Sequence, residues 1–108
     1  MNFQDVWNDI TKLKGSTLQG ITPRVPITIL DVTNAGITVL PVTGKPTFWA
    51  IEKFEVLWEA LNTKPAIHVD SELHGGSSSR NQPETILKNL PYIKVVYIDR
   101  RKHLALDL

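Results

Sequence analysis

Apolar residues recur along this chain first at helical spacing, then at every second position, then at helical spacing again. Phe3, Val6, Trp7, Ile10 and Leu13 fall three and four apart, which predicts an amphipathic helix over residues 3–13. Asp5 and Asp9 lie early in it, Lys12 and Lys14 lie late as the macrodipole favours, and Gly15 supplies a stop. Trp7 belongs to the buried stripe, so core packing is its expected role. From Ser16 to Ile51 the period changes to two. Strands are expected near Thr17–Ile21, Ile27–Thr33, Ile37–Val42 and Thr47–Ala50, with turns at Asn34-Ala35-Gly36 and Thr43-Gly44-Lys45-Pro46. Pro23 and Pro26 keep their segment out of a central ladder. Such a meander of short strands is expected to curl into a half-barrel that hides its edges. Ile27, Ile29, Val39 and Val42 are its core candidates. Leu30 and Leu40 break the alternation, which predicts cover on both faces over part of the sheet.

Helical spacing returns at Ile51–Leu61, where Ile51, Phe54, Leu57, Trp58 and Leu61 line one face and Glu52, Lys53, Glu55 and Glu59 the other. That outer face is acidic and would repel phosphate, so this helix reads as scaffold. Asn62 and Pro65 end it. A short strand at Ala66–Val69 and a helical turn at Asp70–His74 follow, and then the joint Gly75-Gly76-Ser77-Ser78. Asn81-Gln82-Pro83-Glu84 opens the next helix with three agreeing signals: Asn as cap, Pro in the first turn, and Glu placed as in a capping box. Ile86, Leu87 and Leu90 form its buried stripe, Arg80, Thr85, Lys88 and Asn89 are left for its exposed side, and Pro91 ends it. Strands at Lys94–Ile98 and His103–Leu106, joined by Asp99-Arg100-Arg101-Lys102, complete the chain as a hairpin. The expected fold class is α+β. It comprises an N-terminal helix, a small antiparallel meander and a C-terminal half ordered strand, helix, helix, hairpin, which is the order of a winged helix. All 108 residues form one expected domain, with residues 1–50 and 51–108 as halves sharing a core.

Composition changes this picture little: 42% hydrophobic and 21% charged is ordinary for a globular chain. The absence of cysteine excludes disulfides and thiolate metal sites. No apolar run approaches a membrane span, and the acidic start MNFQDVWNDI is unlike a signal peptide, so a cytoplasmic protein with no membrane partner is expected.

Charge changes it more. The net charge is only +1, yet residues 74–106 hold six cations (Arg80, Lys88, Lys94, Arg100, Arg101, Lys102) against Glu84 and Asp99. Acids gather instead at Glu52, Glu55, Glu59, Asp70 and Glu72. This asymmetry is what the electrostatic footprint of a nucleic-acid binder would require. Arg100, Arg101 and Lys102 at a hairpin tip would lie against phosphates, and Arg80, Gln82, Lys88 and Asn89 would come from the helix, with Arg80, Gln82 and Asn89 able to reach base edges. Double-stranded DNA is therefore the expected partner. Two structural readings stand beside it. Cations on a hairpin tip also discourage edge-to-edge aggregation, and Ser77–Ser79 reads as a linker because GGSSSR lacks Walker spacing.

Catalytic and metal chemistry find less support. His68, Asp70 and His74 form an H-x-D-x-x-x-H string without a fourth ligand, no serine sits in a G-x-S-x-G elbow, and Asp31, Asp70, Glu72 and Asp99 are dispersed. A non-catalytic module without cofactor is expected. The alternative is a protein–protein interaction module, with an apolar patch around Phe48, Trp49 and Tyr92. A further variant is a homodimer that adds strands across a two-fold axis at Ala105–Leu108.

A longer pattern spans residues 13–91. Leu13-x-Gly15-x-Thr17-Leu18, Pro26-Ile27-x-Ile29 and Ile37-x-Val39 are followed by Gly44-Lys45, Ile51, Trp58 and Leu61, then by Ser78-x-Arg80 and Ile86-Leu87-x-x-Leu90-Pro91. It resembles a small domain associated with prokaryotic restriction-type and HNH endonucleases, in which a β-rich lead-in precedes a helical segment ending in Leu-Pro. The chain has no HNH-like cluster, so the resemblance implies a DNA-recognition accessory module without the cutting part.

Overall fold

The first helix begins at a reciprocal cap. The Asn2 side chain accepts the Asp5 amide at 2.9 Å, and the Asp5 carboxylate accepts the Asn2 amide at 3.1 Å. A computed structural model describes residues 1–21, 25–42, 44–73 and 81–107 of the chain. In it α1 runs Phe3–Thr11 and buries Val6, Trp7 and Ile10. Gly15, expected as the stop, lies beyond the last turn at φ +85°, and its amide donates to the Ile29 carbonyl at 2.7 Å.

Four strands follow as an antiparallel meander: β1 Thr17–Leu18, β2 Ile27–Val32, β3 Gly36–Pro41 and β4 Thr47–Ala50, in sheet order β1-β2-β3-β4. The inner face presents Leu18, Ile27, Ile29, Ile37 and Val39 to the core. Val42, expected among them, is 66% exposed because β3 ends one residue earlier. Leu30 and Leu40 are exposed as well. The register slips between Ile29 and Asp31, so the broken alternation records a β-bulge instead of a second cover.

Gly36 shows why the β2–β3 turn carries glycine. A Cβ there would meet the Trp49 carbonyl oxygen at 2.2 Å and the Phe48 ring at 2.7 Å. Gly36→Ala must therefore displace backbone, with an expected loss of about 1–3 kcal/mol or more. Thermal unfolding followed by circular dichroism should show a melting temperature lower by roughly 4–8 °C per kcal/mol. An unchanged midpoint would contradict this close approach.

The second helix, α2, runs Ile51–Thr63 and buries Phe54, Leu57, Trp58, Ala60 and Leu61. Its C-cap, Lys64, takes extended dihedrals, as a residue before proline must. Ile67 then makes an isolated antiparallel bridge to Leu104, α3 spans Val69–Leu73, and α4 spans Asn81–Lys88. The chain closes on the hairpin β5 Ile93–Ile98 and β6 Arg101–Leu106. The element order and the α+β class agree with the sequence reading. The expected strand at 66–69 shrinks to the Ile67 bridge, which satisfies the β6 edge at Leu104 through two hydrogen bonds of 2.8 and 2.9 Å. That bridge occupies the edge where a homodimer through Ala105–Leu108 would begin.

One core joins all these elements. Trp7 stacks on Phe3, meets the Phe54 ring at 5.5 Å and donates its indole N–H to the Thr33 carbonyl. Trp58 packs edge-on against Tyr92, whose hydroxyl donates to Asp9 Oδ2 at 2.9 Å and ties the C-terminal half back to α1. Burial first, and then the Asp9 carboxylate, push the Tyr92 pKa up, which holds the hydroxyl in its neutral, donating form.

Candidate nucleic-acid interface

The β5–β6 connection is a two-residue turn at Asp99-Arg100, since Ile98 pairs directly with Arg101. The expected four-residue tip is thus tighter, and Arg101 and Lys102 belong to β6. Asp99 and Arg100 both sit at positive φ, +50° and +67°, the conformation of a hairpin turn whose twist matches its strands. Asp tolerates that region and Arg does so at a cost, whereas an Asp-Gly pair would be the easiest occupant. Arg100→Gly is accordingly expected to raise stability by about 0.5–1 kcal/mol in chemical denaturation. A destabilised Arg100→Gly would show that the Arg100 side chain holds the turn together.

The three cations of the tip divide into two kinds. Arg100 and Arg101 are exposed. Lys102 folds inward, its Nζ 2.9 Å from Glu84 Oε1, with the lysine side chain 26% exposed and the glutamate 7%. This is an ion pair without a well-aligned hydrogen bond, for Glu84 Oε1 is fully buried and meets no hydrogen-bond geometry. Lys102 is therefore a clasp between hairpin and α4, unlike the free phosphate ligand that the sequence suggested.

The helix carries a second correction. Gln82, Glu84 and Thr85, which the sequence leaves to a groove, to a capping box and to solvent, are 5%, 6% and 2% exposed. Trp49 on β4 donates its indole N–H to Gln82 Oε1 at 2.8 Å, while the hairpin holds Glu84 from its own side. Gln82 is thus engaged within the fold and not presented to a groove. Among the side chains described in and just after α4, those left accessible lie at its C-terminal end. Lys88 is half-buried, and Asn89 is exposed with its side-chain amide donating to the Thr85 carbonyl. Arg80 lies outside the described residues, as do His74 and the Ser77–Ser79 run.

Below the turn lies an open depression lined, among the described residues, by His68, Tyr97, Arg100, Arg101 and Lys102. Tyr97 is 62% exposed and stands directly across from Lys102 in the hairpin register. His68 and His103 face each other with ring centroids 5.5 Å apart. His103 Nδ1 lies 2.9 Å from the Arg101 carbonyl, to which it can only donate. His68 Nδ1 is 3.1 Å from Ser71 Oγ. The sequence reading does not single out Tyr97, and it considers His68 only as a metal ligand with Asp70 and His74. The signal available was an aromatic residue three positions before two arginines.

The apolar patch expected at Phe48, Trp49 and Tyr92 does not form. Tyr92 is 8% exposed and Trp49 is tied to Gln82, which leaves Phe48 alone at 55%. Exposed apolar area collects instead on the outer face of the meander. Leu30, Leu40 and Phe48 are exposed there, beside Thr17 and Thr28, which share a hydrogen bond of 3.0 Å.

Among the described residues no group of three or more His, Asp or Glu side chains could hold a metal ion, and no helix is long and apolar enough to cross a membrane. No protein-family model, characterised protein or solved structure matches the chain.

Proposed function

We propose that this chain is a non-catalytic DNA-binding module of winged-helix type that grips the phosphate backbone of a duplex with its β5–β6 turn. One observation carries the reading: two exposed arginines stand at a two-residue turn behind the helix–bridge–helix–helix order. The Ile67–Leu104 bridge adds a third strand segment beside the hairpin, as the sheet of a winged helix requires. Arg100 and Arg101 supply charge, and Lys88 with Asn89 extends the contact from the accessible end of α4. With Gln82 engaged by Trp49, affinity rests on phosphates and sequence preference is weak. The resemblance to accessory domains of restriction-type endonucleases fits such a module, placed beside a cutting partner in a prokaryotic cytoplasm.

The test is a titration of a labelled random-sequence duplex followed by fluorescence anisotropy at low and at higher salt. Binding at low salt that falls steeply with salt supports phosphate contacts, because each neutralised phosphate contributes about −0.9 to the slope of log affinity against log salt. Absence of binding at low salt removes the DNA reading.

A second reading has its own observation. The outer meander face with Leu30, Leu40 and Phe48 is a candidate protein-docking surface, and it lies on a different sheet from the basic turn.

A further inference from the structure

We infer that the depression under the β5–β6 turn is a subsite for an unpaired nucleotide, with the base stacked on the Tyr97 ring and the phosphate held by Arg100 and Arg101. This inference rests on the DNA-binding reading and specifies which form of nucleic acid the turn prefers.

An exposed aromatic ring is paired here with cations. A duplex presents a charged backbone with its base faces already stacked, so it engages arginines and leaves a tyrosine ring idle. An unpaired nucleotide presents both a phosphate and a free π-face, and recognition of single strands combines a cationic surface with an aromatic platform. Tyr97 is 62% exposed in the same depression as Arg100 and Arg101. Its cross-strand neighbour Lys102 lines the same depression and places its ammonium 2.9 Å from Glu84 Oε1. At 62% exposure the Tyr97 ring is available to a base, while Leu104 and Ile93 of the same hairpin are buried in the core.

The rest of the depression suits a phosphate. Arg100 sits at φ +67° in a two-residue turn, which sets the direction in which its side chain leaves the backbone. The Arg101 carbonyl is engaged by His103 at 2.9 Å, which orients the β6 strand behind the second guanidinium. His68 closes the opposite wall, its Nδ1 beside Ser71 Oγ. Arginine forks match phosphate oxygens bidentately.

The experiment compares three labelled probes by anisotropy at constant salt: a blunt hairpin duplex, the same duplex with a short oligothymidine overhang, and a single-stranded oligothymidine. The full chain is used as wild type, Tyr97→Ala, Tyr97→Phe, and Arg100→Glu with Arg101→Glu. The wild type should bind the overhang and single-stranded probes about 5- to 100-fold more tightly than the blunt duplex, the range of one base stacked on an aromatic side chain. Tyr97→Ala should erase that preference while leaving blunt-duplex affinity within about twofold, since an exposed ring contributes nothing to phosphate contact. Tyr97→Phe should keep it. The double charge reversal should weaken all three probes. Equal wild-type affinity for blunt and overhang probes, or a preference that survives Tyr97→Ala, overturns the nucleotide subsite yet leaves the DNA-binding reading intact. Failure of every probe to bind at low salt overturns both.

Discussion

Reversing the charge of Arg100 and Arg101 together is expected to weaken duplex binding on the order of 100-fold at low salt and to flatten the salt dependence by about two units of slope. The expectation follows from the division of the basic turn. Arg100 and Arg101 are exposed, so their charges are free for phosphates. Lys102 is committed to a carboxylate 7% exposed. The double variant should melt close to the wild type, because substitutions at exposed positions seldom shift stability by more than about 0.5 kcal/mol. Lys102→Ala should behave in the opposite way. It strands the buried Glu84 carboxylate at a cost of about 1–3 kcal/mol, more if the charge stays fully dehydrated, and changes the salt slope little. Anisotropy titrations paired with thermal melts separate the two outcomes. A salt slope that drops for Lys102→Ala as much as for the double variant would put Lys102 on the DNA and remove its role as a clasp.

Phe54→Ala is expected to produce the largest loss of stability, about 3–5 kcal/mol, or a melting temperature lower by roughly 15 °C or more. Phe54 is fully buried and packs its ring 5.5 Å from that of Trp7, so truncation opens a cavity where α1 meets α2. Small domains have only about 5–15 kcal/mol to lose, and the variant should be partly unfolded under mild denaturant. Val56, two residues away on the same helix and 47% exposed, provides the control. Val56→Ala should shift the denaturation midpoint by about 0.5 kcal/mol at most. Similar small effects at both positions would contradict the assignment of the buried face of α2.

Periodicity carried much of this fold. The stripes of α1 and α2 are legible in spacing alone, and Trp7 proves buried at 4% exposure as its place in the stripe implies. The order of the C-terminal half is legible for the same reason, with proline and hairpin signals marking its ends. Three features escaped. The pattern at Leu30 and Leu40 predicts double cover, because a bulge and a second buried face break alternation in the same way. The turn is two residues shorter than its sequence suggests, because Asp99-Arg100 lacks the glycine that advertises a two-residue hairpin. The pattern of α4 leaves Thr85 to solvent, Glu84 to a capping box and Gln82 to a groove, because one buried stripe is the ordinary case for a surface helix. Burial of this polar flank depends on Trp49 and Lys102, partners from β4 and β6 that local pattern cannot place. That last feature matters most for the site. It withdraws Gln82 from any groove and moves the weight of the interface to the turn.

The most direct test of that interface is a backbone amide NMR titration of the full chain with a short random-sequence DNA duplex at low salt. Shifts should concentrate at Asp99–Arg101, with smaller ones at Lys88 and Asn89, while Leu30, Leu40 and Phe48 stay still. Shifts confined to the outer face of the meander, or none anywhere, would contradict a DNA contact through the β5–β6 turn.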